Sequence, residues 1–283
     1  MTVTRKKHTG VGLMRRSIFD VHKLLIVLVL VFCGQAVGQF DEVLGPFGYR
    51  GDMPVVGDFD RDKLVDDIAV FRPSEATWLF DLNGDGKKDA STKMVQYGEG
   101  DKFVVGDFDR DGYLNDVGIF KPFGRWYFGT FSYDPDNNVV SWSEPFLAIN
   151  WGLKEDLPVA GDFDNDGYDD NIGIFRPSHR MWYYNYDLDN ETDRKSGPWA
   201  LPGDLPLAGD FDSDGHSNDI AVFRDSDHTW YFDYDSDGYT DRVFTPRAGE
   251  GDLPVAGDFD QDGFRDDIGA FRPTTGEWFI KFF

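Results

Sequence analysis

The sequence predicts an all-β protein: a five-bladed β-propeller with four antiparallel strands per blade, the last blade completed by the N-terminal strand. Three observations carry this. A Gly-Asp-Phe-Asp motif recurs at Gly57, Gly106, Gly161, Gly209 and Gly257, with spacings of 49, 55, 48 and 48 residues, periods typical of repeat architectures. Each period holds four short segments of alternating character between turn residues, and none has helical spacing. The fifth unit stops after its third strand (278–283), while Phe40-Asp41-Glu42-Val43-Leu44 precedes the first unit and resembles residues 241–245. Pairing these two ends closes a ring, whereas an open row of blades leaves two raw edges.

From the N-terminus, residues 1–38 read as an export signal. A basic segment (Arg5, Lys6, Lys7, Arg15, Arg16, Lys23) precedes the apolar run 24–32, and Ala36-Val37-Gly38 puts small residues before a cut at Gln39. A retained membrane anchor and a lipidated Cys33 are the rival readings. The apolar run is short for a span, and Phe32 before Cys33 suits a lipoprotein signal poorly. Cleavage leaves one domain, residues 39–283, secreted or held at the cell surface, touching membrane only if the leader stays. That domain carries 22 basic and 51 acidic side chains and no cysteine, a net charge of −29. The charge argues against nucleic acid and anionic membranes as partners. Aromatic residues make up 16% of the chain, unlike an acidic disordered tail. With no disulfide available, bound cations are the obvious cross-links.

The blades run roughly over 48–97, 98–150, 151–200, 201–248, and 249–283 plus strand 40–45. In each, a first strand of the type Leu-Pro-Val-Ala-Gly-Asp (157–162) ends in an Asp-rich loop. A second strand, such as Asp219-Ile220-Ala221-Val222-Phe223-Arg224, ends in a turn that usually contains Pro. An aromatic third strand (229–232) and a fourth (241–244) follow.

The Asp-rich loops are the recurrent chemistry. Counting from the Asp after each Gly, carboxylates or amides stand at positions 1, 3, 5 and 9. They are Asp58, Asp60, Asp62 and Asp66; Asp107, Asp109, Asp111 and Asn115; Asp162, Asp164, Asp166 and Asp170; Asp210, Asp212, Asp214 and Asn218; Asp258, Asp260, Asp262 and Asp266. With a backbone carbonyl at position 7, this spacing suits a hard, oxygen-liganded cation, Ca²⁺ rather than zinc. Position 10 is also Asp or Asn (Asp67, Asp116, Asn171, Asp219, Asp267), so either residue could close a site. Gly112, Gly167, Gly215 and Gly263 give position 6 its sharp turn, and Lys63 replaces Gly in the first loop. Position 12 is Ala69, Gly118, Gly173, Ala221 or Gly269 rather than a bidentate Glu, which excludes an EF-hand. An acidic surface turn is the plain alternative for one copy. Five copies in step need a counter-ion.

A second series lies between strands three and four. Asp81, Asn83, Asp85 and Asp89 form a complete copy, as do Asp233, Asp235, Asp237 and Asp241. Asp187, Asp189 and Glu191 form a damaged one, and Asp134, Asp136 and Asn138 a worse one. Five to seven Ca²⁺ ions are expected. Both series emerge at the same end of the blades, so the opposite rim, whose turns vary from blade to blade, is the expected recognition surface.

Other columns read as structure. An Asp five residues before each Gly (Asp52, Asp101, Asp156, Asp204, Asp252) and a base fifteen after it (Arg72, Lys121, Arg176, Arg224, Arg272) suit repeated ion pairs at blade junctions. The Trp column (Trp78, Trp126, Trp182, Trp230, Trp278) suits the wedge between blades. The second unit is about seven residues longer than its sisters, within 132–151. There Trp142 and Trp151, together with Trp199, lack repeat counterparts and either stack on a ligand or fill local gaps. His179, His216 and His228 occupy different columns, and there is no serine elbow, zinc constellation or phosphate loop. Paired carboxylates are too abundant here to point to catalysis. Asn190-Glu191-Thr192 is a glycosylation sequon, meaningful only in a host with that machinery.

Repeats such as Gly257-Asp258-Phe259-Asp260-Gln261-Asp262-Gly263, continuing into Asp267-Ile268-Gly269-Ala270-Phe271-Arg272-Pro273, resemble the FG-GAP/VCBS repeats of integrin-α-type β-propellers over residues 40–283. The resemblance implies loops that bind Ca²⁺ on one face and a ligand on the other, in a cell-adhesion or recognition module for an extracellular protein or glycan. This chain departs in one extra residue between loop and second strand, in Lys63, and in having five units where integrins have seven. Similar repeats occur in some secreted polysaccharide lyases. That enzyme reading requires a basic residue beside an acidic sugar, which an acidic surface repels. A purely structural cell-surface component is the third possibility.

Overall fold

The computed structural model describes residues 39–94, 97–137, 139–246 and 248–283; the leader expected over 1–38 lies outside them. Twenty-one strands form five antiparallel sheets. After β1 (Glu42–Leu44), the first blade is β2 (Met53–Gly57), β3 (Asp67–Arg72), β4 (Thr77–Asp81) and β5 (Ala90–Lys93). The second is β6 (Lys102–Gly106), β7 (Asp116–Lys121), β8 (Arg125–Asp134), β9 (Val139–Trp142) and β10 (Leu147–Asn150). The third is β11 (Leu157–Gly161), β12 (Asn171–Arg176), β13 (Met181–Asn185) and β14 (Arg194–Ser196). The fourth is β15 (Leu205–Gly209), β16 (Asp219–Arg224), β17 (Thr229–Asp233) and β18 (Arg242–Phe244). The fifth is β19 (Leu253–Gly257), β20 (Asp267–Arg272) and β21 (Glu277–Lys281). β1 supplies its fourth strand, with Val43 opposite Phe279. The five-bladed propeller closes as the repeat pattern requires.

The second blade differs from the four-strand pattern. β8 is ten residues long: its first half pairs with β10 (Phe128 opposite Leu147), its second with the extra β9 (Phe131 opposite Trp142). The surplus residues thus extend the third strand into a hairpin, whose β9 lies beside β5 of the first blade.

Five apolar clusters fill the five junctions, each built around one fully buried Trp of the repeat column. The central β3-type strands are buried on both faces, as their unbroken apolar runs demand. Each column Trp packs on the Phe of its second strand, at centroid distances of 4.3–5.1 Å.

At the Asp-loop end, Asp58, Asp107, Asp162, Asp210 and Asp258 donate their backbone N–H to Leu114, Asp169, Ser217, Arg265 and Val65 carbonyls, at 2.9–3.1 Å. Each bond runs from loop position 1 to position 8 of the next blade, and the fifth returns to the first. This explains the Gly that opens every motif. A Cβ on Gly57, Gly106, Gly161, Gly209 or Gly257 would lie 2.2–2.7 Å from that same neighbouring carbonyl.

Deleting residues 39–45 strips β21 of its partner and bares an edge. The expected result is a lower melting temperature with self-association on size exclusion, partly reversed by a synthetic 39–45 peptide. Unchanged melting would mean that β1 contributes nothing to closure.

Candidate metal centres

Each loop curls around the carboxylate at position 1. In the third blade the Asp166 and Gly167 N–H groups donate to Asp162 Oδ1 and Oδ2 at 2.9 and 3.0 Å, and the Tyr168 N–H donates to Asp166 Oδ1 at 3.1 Å. The second, fourth and fifth blades repeat all three bonds. Position 6 therefore lies in the left-handed region, with φ of 88–99° at Gly112, Gly167, Gly215 and Gly263. Lys63 adopts it too, at 79°, a strain on the order of 1 kcal/mol for a residue with a Cβ.

The curl gathers the carboxylates. One oxygen from each of Asp58, Asp60 and Asp62 lies within 4.8 Å of the others, as in Asp107/Asp109/Asp111 and Asp162/Asp164/Asp166. In the fourth blade the groups are Asp210/Asp212/Asp219 and, in the second series, Asp233/Asp235/Asp241. Asp81 is held the same way, accepting the Asp85 and Gly86 N–H groups at 3.2 and 2.7 Å.

The two series use different residues after the curl. In the second, position 9 turns in: Asp89 and Asp241 accept the N–H of position 2 at 2.9 and 2.8 Å. In the first series, position 10 does so. Asp67, Asp116, Asn171, Asp219 and Asp267 are all buried and accept the N–H of position 3 at 2.7–3.0 Å. Position 9, the other candidate from the spacing, bonds to the preceding blade. Gln261 donates to Asp66 and Ser213 to Asp266, each at 2.7 Å, Arg110 pairs with Asp170, and Asn218 donates to Asn165 at 2.7 Å. Asn115 is the exception, donating to the Phe131 carbonyl within its own blade at 2.6 Å.

Burial raises these carboxylates, and their neighbours add to it. Asp58, Asp107 and Asp233 are pushed up to about 6, Asp116 and Asp267 to about 7, Asp219 to about 8 and Asp67 to about 9. Buried Oδ1 atoms of Asp58, Asp116 and Asp266 have no hydrogen-bond partner among the described residues. An oxygen-only donor set with orphaned buried carboxylate oxygens fits a hard divalent cation, which supplies both the missing partner and the missing charge.

The damaged copies differ as their sequences imply. Asn185 replaces the position-1 Asp, and its amide closes the loop on Asp189, donating to its carbonyl at 2.7 Å and accepting its N–H at 3.2 Å. Asp134 and Asp136 sit on the exposed tip of the β8–β9 hairpin, while Asn138 lies outside the described residues.

The three singled-out tryptophans pack inside junctions. Trp151 and Trp199 are 5% and 6% exposed, and their Nε1–H groups donate to Thr192 and Thr240 at 3.0 and 3.1 Å. They share a column with buried Phe47, five residues before the Asp52-type position, so Trp199 has counterparts after all. Thr192, the sequon hydroxyl, does what Thr240 does without a sequon. Half-buried Trp142 packs on Phe131 at 5.2 Å and over Gly129, where a Cβ would lie 2.6 Å from the indole. Trp151 and Trp199 offer no open face.

The Asp52/Arg72-type pairs form in every blade. Arg72, Arg176, Arg224 and Arg272 each grip the Asp through Nε and Nη2 at 2.7–3.0 Å, and Lys121 pairs with Asp101. Two features escaped the sequence reading. Position 8 faces the axis, where Arg265 and Asp169 pair at 2.9 Å between the fifth and third blades. On the opposite rim, Phe123 is 85% exposed at φ 83°, in a turn closed by the Gly124 N–H on the Lys121 carbonyl. That third turn position usually belongs to Gly.

No family model matches the chain, and no curated protein matches it. Solved structures similar to it include BBS1N in complex with ARL6DN, at 9% identity and TM-score 0.38, covering 76% of this chain and 55% of that one. Others are a protein of unknown function from Bacteroides caccae (10%, 0.36, 73% and 66%) and KlHsv2 with loop 6CD replaced by a Gly-Ser linker (9%, 0.36, 74% and 73%). The chain spans about half the length of the first. Likeness this slight carries no argument about function.

A raised carboxylate pKa means that the folded state holds the extra proton, so stability falls as pH rises from about 4 through the folded values of about 6 to 9. In excess chelator, the melting temperature should drop steadily across that window. Millimolar divalent cation should abolish the drop; a flat profile in chelator would show that the carboxylates carry no such strain.

Proposed function

We propose that this protein is an exported, Ca²⁺-stabilised propeller of the FG-GAP/VCBS kind that recognises an extracellular protein or glycan through the rim opposite its Asp loops. The cation reading rests on the repeated oxygen clusters with their orphaned buried oxygens. In this reading the first-series ligands are positions 1, 3, 5 and 10 with the position-7 carbonyl, and the second-series ligands are positions 1, 3, 5 and 9.

The recognition reading rests on Phe123. A bulky side chain held at positive φ and almost fully exposed costs stability without gaining burial. Strain of this kind persists where it serves binding. Two hollows lie on the second and third blades, and Phe123 lines the smaller. One, of about 570 Å³, is lined by Tyr127, Phe146 and Leu147 with Lys121 and Glu144. The other, of about 450 Å³, is lined by Phe123 itself with Leu153, Lys154, Glu155, Asp156 and Arg176. In both hollows bases and acids are equal in number, so a partner meets less repulsion here than on a surface where acids outnumber bases.

Asp219→Ala should remove one Ca²⁺ from the isothermal titration, and Asn218→Ala should leave the stoichiometry intact; the reverse result would return the closing ligand to position 9. Phe123→Gly relieves the turn and should hold or raise the melting temperature by a few degrees. The same variant should lose signal on a glycan array and on immobilised extracellular-matrix protein, both read in millimolar Ca²⁺. Full retention of binding would move recognition away from this rim.

A further inference from the structure

The five loops receive different groups from the blade before them. Position 4 is Arg61, Arg110, Asn165, Ser213 or Gln261, each in the left-handed region at φ 59–66° and each directed at the next loop. The Arg61 guanidinium meets Asp111 at 2.6 Å and lies over the Tyr113 ring at 4.1 Å. Arg110 meets Asp166 at 3.0 Å as well as Asp170, and lies over Tyr168 at 5.2 Å. Asp111 and Asp166 are the position-5 carboxylates of the second and third loops. From the blade before them the fourth, fifth and first loops receive the neutral Asn165, Ser213 and Gln261, which touch position 9 rather than position 5; from the other side, His216 of the fourth loop meets Asp162 of the third at 3.1 Å.

We propose that Arg61 and Arg110 are built-in counter-ions that divide the ring into two classes of cation site. The second and third loops are already partly neutralised and bind Ca²⁺ weakly; the fourth and fifth receive no arginine from the blade before them and bind it tightly. A guanidinium on the back of a ligand carboxylate withdraws part of that ligand's charge and repels the incoming dication. The tyrosine faces hold both guanidinium groups in place, so the effect does not depend on a mobile side chain finding its partner. Both arginines are partly exposed, which limits the effect to roughly tenfold in affinity per site. The inference rests on the Ca²⁺ reading of the loops.

The test is calorimetric titration of the intact protein with CaCl₂, alongside melting temperatures in EGTA and in Ca²⁺. The wild type should show two classes of site. Arg61→Gln with Arg110→Gln should tighten the weaker class about tenfold, lower the melting temperature in EGTA and enlarge the rise caused by Ca²⁺. Arg61→Lys with Arg110→Lys should keep the wild-type pattern. In the opposite direction, Ser213→Arg should weaken one site of the tight class, an outcome that does not depend on the first pair of variants folding well. Equal loss of melting temperature with and without Ca²⁺, and an unchanged titration, would reduce the arginines to packing groups and overturn the proposal. A wild type that binds Ca²⁺ in a single class overturns this inference alone. A wild type that takes up no Ca²⁺ overturns the reading of the loops with it.

Discussion

Five backbone hydrogen bonds, each from a loop Asp N–H to a carbonyl of the next blade, set the geometry on which everything else depends. Singly they are worth about 1 kcal/mol each. Their importance lies in where they force the chain to go. The donor is the first residue of an acidic curl, and the acceptor lies two residues before the buried Asp or Asn at position 10 of the next one. Holding that bond fixes both curls against each other, and so fixes the distance between carboxylate clusters around the ring. It also removes any choice at the preceding residue, where even a methyl group would strike the neighbouring carbonyl.

The cost of this arrangement is electrostatic. Buried carboxylates are brought together on one face of an already acidic protein, and their raised proton affinities record the tension. The molecule meets it in three ways visible in its side chains. Where the first Asp of a curl has become Asn185, the amide satisfies itself. Where an arginine reaches across from the preceding blade, charge is offset within the chain. Elsewhere the oxygens are left for something from outside. The apolar junctions below, each with its buried Trp, provide the rigidity that keeps the curls from relaxing apart.

Much of this is readable in the sequence because repetition multiplies weak signals. One Gly-Asp-Phe-Asp is a turn; five in step with a Trp column and an Asp/Arg pair define blade count, strand order and ring closure. What could not be read was whatever depends on neighbours in space. Positions 9 and 10 carry the same residue types, and only the contact between blades shows that Asp66 or Asp266 lends an oxygen to the preceding blade while Asp67 or Asp267 accepts an N–H of its own loop. Trp151 and Trp199 each stand five residues before the Asp of the ion-pair column, so their match was present in the sequence, and Phe47, in the segment that completes the far blade, stands in the same column. Phe123 lies in one of the turns that vary from blade to blade, and nothing in its sequence signals a positive φ. The ion pair of Arg265 with Asp169 joins blades that are not adjacent, so no repeat column could have announced it.

The pairing of Val43 with Phe279 has a temporal meaning. β1 leaves the ribosome long before β21 and must wait, unmated, for it, and loop-closure entropy over so long a separation makes that docking slow. Until it happens, a nascent wheel has one vacant berth and one loose tenon. Two such chains, held close together, have the parts to exchange tenons and become a dimer with no new surface required.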